Sequence, residues 1–533
     1  MAHLMNTIFP LMSQPRRIEL KIFLCFWGYS ILLLLLLSPD SYLHDLYDRC
    51  DSAWFFSAGK WWMQGLKPYI DFSDSKGPLL WFIYGLGWLI SHYDYIGVWW
   101  LSTLSYAASF YFVYRSACVF TSRRTAIICS LTMTFAFFLY PFHQEIRAED
   151  WCNLFLTLSL WKMCEICYGN DLPKRTIRHA CFWLGFSTGA LLLIKYNIAA
   201  MQAIMPLTVI WVMYRKHHGL GISIMYEFLG FLSSTLPFIL ILVLEGCFPA
   251  MVNEYFLATS SYYSNFFTVE LFLNNELIKD LFRSKLYNLY ELCILLGMIL
   301  ATVKLKTLKW TPIICILWMI MVIVPSAHII YHFRPLSLVY FPFILSCLTS
   351  SLYLKIEKLF TKTRYLIALA FFCIIVDYSI NHTYLDTTIV WNNDKQCEHV
   401  YYASAQVLSQ YDHPTICYNG VEQGVETVVD ALPGMKYWCI PNHKRKEGEN
   451  ELGHVLEQHL VDVVMIFESP EKELSELEQS GYHKCFSMTY HSAPWSVWSK
   501  RKLPKVQLDY EASWQDVLFK RRPHFVKTHN NKD

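Results

Sequence analysis

A series of long apolar runs constrains this chain more than any other feature. The stretch IFLCFWGYSILLLLLLS at 22–38 carries no charge and can cross a bilayer, which takes about 20 apolar residues. It follows Arg16, Arg17 and Lys21 and lacks a small-residue cleavage site, so it reads as a retained anchor with its N-terminus inside. Further runs lie near 98–119, 125–142, 151–168, 180–194, 198–213, 221–246, 287–303, 310–327, 338–353 and 365–381. A thirteen-residue run, PLLWFIYGLGWLI at 78–90, is shorter and carries Pro78, Gly85 and Gly87.

Charge decides whether 78–90 spans. Only 17% of the residues are charged, with 45 Lys and Arg against 43 Asp and Glu and a net charge of +2. That balance argues against nucleic acid as a partner and against a disordered chain. If 78–90 does not span, the clusters Arg123-Arg124, Lys174-Arg175 with Arg178, Arg215-Lys216, Lys304/Lys306/Lys309 and Lys355/Lys358/Lys362/Arg364 all fall inside. If it spans, all of them move outside. The run 78–90 is therefore expected to be a juxtamembrane helix. The expected fold is an α-helical polytopic membrane protein of about eleven spans, with its C-terminus outside.

After residue 383 the composition changes. Short β-like runs at 415–420, 436–441, 461–468 and 484–490 alternate with helical patterns at 449–460 and 471–480. This predicts a soluble extracytoplasmic α/β domain over 384–533, ending in a basic tail and following a membrane domain over 1–383. Cys397, Cys417, Cys439 and Cys485 lie in it, and an oxidising compartment would permit a disulfide among them.

The first external loop, 39–97, holds the most informative stretch, YDRCDSAWFFSAGKWWMQGLKPYIDFSDSKGPLLWF at 47–82. From Asp51, the residues Trp54, Phe55, Ala58, Trp61 and Trp62 recur at helical spacing, which predicts an amphipathic helix lying at the interface. Gly65 and Pro68 are its stop signals. Asp51 at the helix start also suits a capping carboxylate.

An acid at a helix start followed by Gly65, Pro68, Tyr69, Asp71, Phe72, Asp74, Lys76, Pro78 and Leu79 resembles the first external loop of a family. These are the C-superfamily membrane glycosyltransferases that use polyprenyl-phosphate-linked sugars, among them protein O-mannosyltransferases and the aminoarabinose transferase of lipid A. Two departures stand out. Many members have Asp-Glu where this chain has Asp51-Ser52, and Lys-Pro-Pro where it has Lys76-Gly77-Pro78. The stretches 140–160, 185–197 and 331–343 resemble later family segments, pointing to Glu149 (with Asp150 as the alternative), Lys195, His332 and Arg334.

The resemblance implies an enzyme of the bacterial inner membrane that transfers a sugar from a polyprenyl-phosphate donor to a glycolipid, polysaccharide or protein outside the cytoplasm. Asp51 would be the general base and Glu149 its helper; in-line displacement would invert the anomeric centre. Lys76, Arg334, Lys195, His332 and Arg147 would meet the donor phosphate. Each of these cations has a plainer reading as a snorkelling or ion-paired residue, and Arg147 is a ready partner for Glu149. Asp71, Asp74, Tyr69 and Trp54 could contact substrate, although Asp71 and Asp74 are also ordinary turn residues and the tryptophans an interfacial belt. No cofactor is assigned by these residues, and Asp51 and Glu149 could share a divalent metal ion through their oxygens. The stretch 254–285 could cover the active site, or lie passively at the interface. A transporter or flippase of lipid-linked saccharides is the competing reading; it would place charges near mid-span in repeated segments.

Overall fold

The computed structural model describes residues 14–38, 40–41, 50–92, 94–134, 146–169, 172–216, 219–261, 308, 310–323, 363–385, 404–419, 424–427, 429–438, 444–467, 477–490 and 493–503. Its helices are α1 (Gln14–Leu37), α2 (Cys50–Met63), α3 (Pro78–Ile90), α4 (Ile96–Ala117), α5 (Arg123–Thr132), α6 (Ala148–Tyr168), α7 (Lys174–Ile194), α8 (Tyr196–Gln202), α9 (Ile204–Arg215), α10 (Leu220–Leu244), α11 (Phe248–Met251), α12 (Thr311–Ile323), α13 (Thr363–Leu385) and α14 (Arg445–Glu457). A π-helical segment, Val252–Ala258, continues α11.

Among the described residues, five helical stretches are long and apolar enough to cross a membrane: Arg16–Leu37, Ile96–Ala117, Lys174–Ile194, Tyr196–Arg215 and Leu220–Leu244. The expected runs 287–303 and 338–353 lie outside the described residues. Helix α10 has the surface that lipid asks for: Phe228, Leu240, Val243 and Leu244 are exposed. Helix α6 is buried along most of its length, between α4 and α7.

The short run 78–90 forms α3, opened by Pro78 in the first turn, where a missing N–H costs nothing. It packs against α2. Helix α2 stops as read, with Gly65 at φ 96° in the left-handed region that favours glycine. Its environment differs from the expectation. Asp51 lies inside the first turn, because the helix starts at Cys50. The helix is not amphipathic at an interface: Ala53, Phe55, Phe56, Ala58, Lys60 and Trp61 are all buried. Periodicity indicated one apolar face; the other face is covered too, by the C-terminal domain.

That domain carries one five-stranded mixed sheet of β1 (Thr415–Asn419), β2 (Leu432–Pro433), β3 (Val463–Phe467), β4 (His483–Tyr490) and β5 (Ala493–Ser499), in the order β2-β1-β3-β5-β4. β1 pairs in parallel with β2 and β3, and β5 is antiparallel to β3 and β4. Three expected strands are present. Of the expected strand at 436–441, the described part, Lys436–Trp438, lies in a turn after the two-residue β2, and 439–441 lie outside the described residues. β5 follows β4 as a hairpin that the turn-poor sequence hid. Cys417 and Cys485 are free thiols; Cys397 and Cys439 lie outside the described residues.

This C-terminal part packs directly on α2. Lys60, fully buried on α2, donates to the carbonyls of Glu426 (3.0 Å) and Val429 (2.8 Å) and pairs with Asp430 at 2.8 Å. Trp61 Nε1 donates to the Ala431 carbonyl at 2.7 Å, and its ring meets Trp438 edge-on at 4.7 Å. The Tyr95 and Thr427 hydroxyls bond at 2.9 Å. Trp54 and Trp61, expected in an interfacial belt, thus form a seam with Trp438.

Candidate active site

The site is assembled around the backbone just before α6. Ser52 Oγ and the Tyr84 hydroxyl both donate to the Ile146 carbonyl, at 3.0 and 2.6 Å. The Ile146 N–H donates to Asp40 Oδ2 at 3.3 Å. The starts of α2 and α6 are thereby held together. Asp51 is half-buried there, and among the described residues no hydrogen bond or ion pair engages its carboxylate.

One turn along α2 from Asp51, on the same face, Phe55 receives the Lys76 ammonium 5.6 Å from its ring centroid. Lys76 Nζ also donates to Ser75 Oγ at 3.1 Å and lies 3.8 Å from Asp74 Oδ2. Lys76 therefore sits on the Asp51 side of α2, with buried Asp74 as its counter-charge.

The loop carrying Lys76 is a tight turn. The Tyr69 N–H donates to the Phe72 carbonyl at 2.7 Å, and Asp71 Oδ2 accepts the Lys67 N–H at 2.6 Å. Tyr69 takes φ 65°, a strained value for a bulky residue. Its ring is fully buried against Trp81, and its hydroxyl donates to the Lys76 carbonyl at 2.9 Å. Burial, with Tyr255, Asp74 and Cys247 nearby, holds the phenol well above its ordinary pKa, so it remains a donor. Asp71 and Tyr69 shape the turn.

Gly77 then meets the end of α7. Its N–H donates to the Ile194 carbonyl at 3.1 Å, and a Cβ there would stand 2.1 Å from the Leu193 carbonyl oxygen. The departure from Lys-Pro-Pro has a local cause: proline would lose this bond and collide with that backbone. The next residue, Lys195, is extended between α7 and α8. Lys195 Nζ meets Glu149 Oε1 at 2.5 Å, with both side chains largely buried.

Glu149 thus pairs with Lys195. The Arg147 backbone N–H donates to Asp150 Oδ2 at 2.9 Å, closing the first turn of α6. Asp150 also accepts the Tyr106 hydroxyl at 2.8 Å, which makes it structural and leaves Glu149 as the acid facing a cation. Trp54 lies 6.1 Å from Trp438, edge-on, at the seam with the C-terminal domain. His332 and Arg334 lie outside the described residues, as does most of 254–285. Among the described residues no three His, Cys, Asp or Glu side chains gather as metal ligands.

Sequence reasoning missed Lys60, Glu254, Tyr255 and Lys436. Tyr255 donates to the Leu192 carbonyl at 2.7 Å, beside the Lys195 turn. A lone lysine in the aromatic run 54–62 was the available signal for Lys60.

No family model matches the chain, and no curated protein matches it by sequence. Solved structures do. ArnT from Cupriavidus metallidurans in the apo state is similar with TM-score 0.54 and 11% identity, over 91% of this chain and 97% of that one. ArnT bound to undecaprenyl phosphate gives TM-score 0.55 and 12% identity with the same coverage. The archaeal oligosaccharyltransferase AglB from Archaeoglobus fulgidus, in complex with an inhibitory peptide and a dolichol-phosphate, gives 0.45 and 11%, over 94% of this chain and 75% of that one. This chain shares its fold with ArnT.

Proposed function

We propose that the protein is a multi-pass membrane glycosyltransferase that moves a sugar from a polyprenyl-phosphate donor to a glycolipid, polysaccharide or protein outside the cytoplasm. The observation that carries this reading is the approach of three sequence-distant groups: Asp51, Lys76 and the Glu149–Lys195 pair. The fold supports it, because ArnT, which shares it, binds undecaprenyl phosphate. The bacterial inner membrane, with the site and the C-terminal domain on its outer side, is the location this chemistry and the charge distribution favour.

The acceptor hydroxyl gives its proton to Asp51 as its oxygen bonds to the anomeric carbon. The bond from that carbon to the phosphate oxygen breaks, and the electron pair leaves with the phosphate. Lys76 and Lys195 stabilise the departing charge, with Arg334, His332 and Arg147 as further cations. Attack opposite the leaving group inverts the centre. Glu149 holds Lys195 in place, Asp74 orients Lys76, and Trp54 borders the acceptor side.

The test is an assay of purified protein in vesicles with a polyprenyl-phosphate sugar and candidate acceptors. A glycosylated acceptor of inverted configuration is expected. Sugar carried across the bilayer with its phosphate bond intact would replace this reading with a lipid-saccharide transporter.

A further inference from the structure

The turn at Met435–Trp438 puts Lys436 in contact with the Lys76 loop and with the segment 252–258, whose Tyr255 reaches the end of α7 just before Lys195. The Lys436 carbonyl accepts the Ser73 N–H at 2.9 Å. Its ammonium meets Glu254 Oε1 at 2.7 Å. Tyr437 reinforces the same contact, its hydroxyl lying 3.2 Å from both Glu254 oxygens. Behind the turn, Glu451 on α14 accepts the N–H groups of Lys436 (2.8 Å) and Tyr437 (3.0 Å). Lys436 is thus fixed from its own domain and grips two foreign segments.

Those segments lead to the site by equal steps. Ser73 stands three residues before Lys76. Glu254 is buried, and the neighbouring Tyr255 donates to the Leu192 carbonyl, three residues before Lys195. The π-helical geometry of Val252–Ala258 widens the turn and buries Glu254 and Tyr255 together. An ammonium on a carboxylate of 3% exposure cannot be exchanged for water without leaving that acid unpaired.

We infer that Lys436 is a positioning residue for the transfer reaction, through which the C-terminal domain sets the separation of Lys76 and Lys195. The inference rests on the proposed glycosyl transfer. A phosphate held between two cations tolerates little displacement, and a misplacement near 1 Å can cost about a hundredfold in rate.

The experiment compares the unaltered full-length protein with Lys436→Met, Lys436→Arg and Glu254→Gln. Transfer kinetics and hydrogen exchange over 67–77 and 248–258 are measured on each. Lys436→Met is expected to lower kcat about tenfold to a hundredfold and to speed exchange in both segments. Lys436→Arg restores most of both. Glu254→Gln removes only a charge, so it keeps the test valid if Lys436→Met fails to fold, and it should reproduce the kinetic defect. An unaltered protein that transfers no sugar overturns the function on which this inference rests, and the inference with it. An active protein whose Lys436→Met and Glu254→Gln variants keep their kcat and exchange pattern overturns this inference alone.

Discussion

Gly77 shows how one residue sets the site. Its hydrogen stands where any Cβ would press on the Leu193 carbonyl, and its N–H closes the contact with Ile194. Gly77→Ala is expected to cost roughly 1–3 kcal/mol by forced separation and to lower transfer more than it lowers stability. Thermal unfolding and kcat measured on the same preparation check this. Glu426 supplies a second residue-scale prediction. Burial pushes its carboxyl up to about 7 from an ordinary 4.5, while its Oε2 accepts the Tyr418 hydroxyl at 2.7 Å. The folded chain then keeps a proton that the unfolded chain releases between those two values. This contribution to stability is complete below 4.5 and is lost as pH rises through about 7. Glu426→Gln should flatten that part of the stability profile, by an amount on the order of 3 kcal/mol. An unchanged slope in denaturant titrations across the window would contradict it.

At the scale of elements, the pair α2 and α3 does the organising. Both were legible in the sequence, as were β1, β3 and β4, because helical spacing, stop residues and β-rich runs are local signals. The Lys76-to-Gly77 motif was legible as well. What covers the second face of α2 was not. Lys60 and Trp61 find partners 366 to 370 residues away, and no periodicity reports such a distance. The same limit applies to Glu149: sequence offered nearby Arg147, whereas the fold supplied Lys195 from the extended link between α7 and α8. The turn at 435–438 differs from the strand expected there for a related reason, since Lys436 and Tyr437 sit in a β-rich run but are spent on contacts with Ser73 and Glu254. Trp61 is the center of this seam, fully buried between Phe72 and Trp438. Trp61→Ala should destabilise the docked C-terminal domain by about 3–5 kcal/mol. Limited proteolysis within 404–503 would then accelerate; equal cleavage rates would show that the seam contributes little.

For the whole molecule, the scarcity of charge is the unifying fact. In the site proposed for this chain, which is 17% charged, an acid and two lysines would work together, with Lys195 paired to Glu149 and Lys76 beside Asp74. This division of labour predicts separable defects. Lys76→Met should weaken donor binding about tenfold or more, because a charge-assisted contact to phosphate is lost. Asp51→Asn should leave donor binding in place, because the base acts on the acceptor. The most direct test of the account is single-turnover sugar transfer by Asp51→Asn with donor prebound at saturation. The account predicts donor affinity within about twofold of the unaltered protein and a transfer rate lower by at least 10²-fold. Transfer at an undiminished rate would contradict Asp51 as the base, and with it the site proposed for this protein.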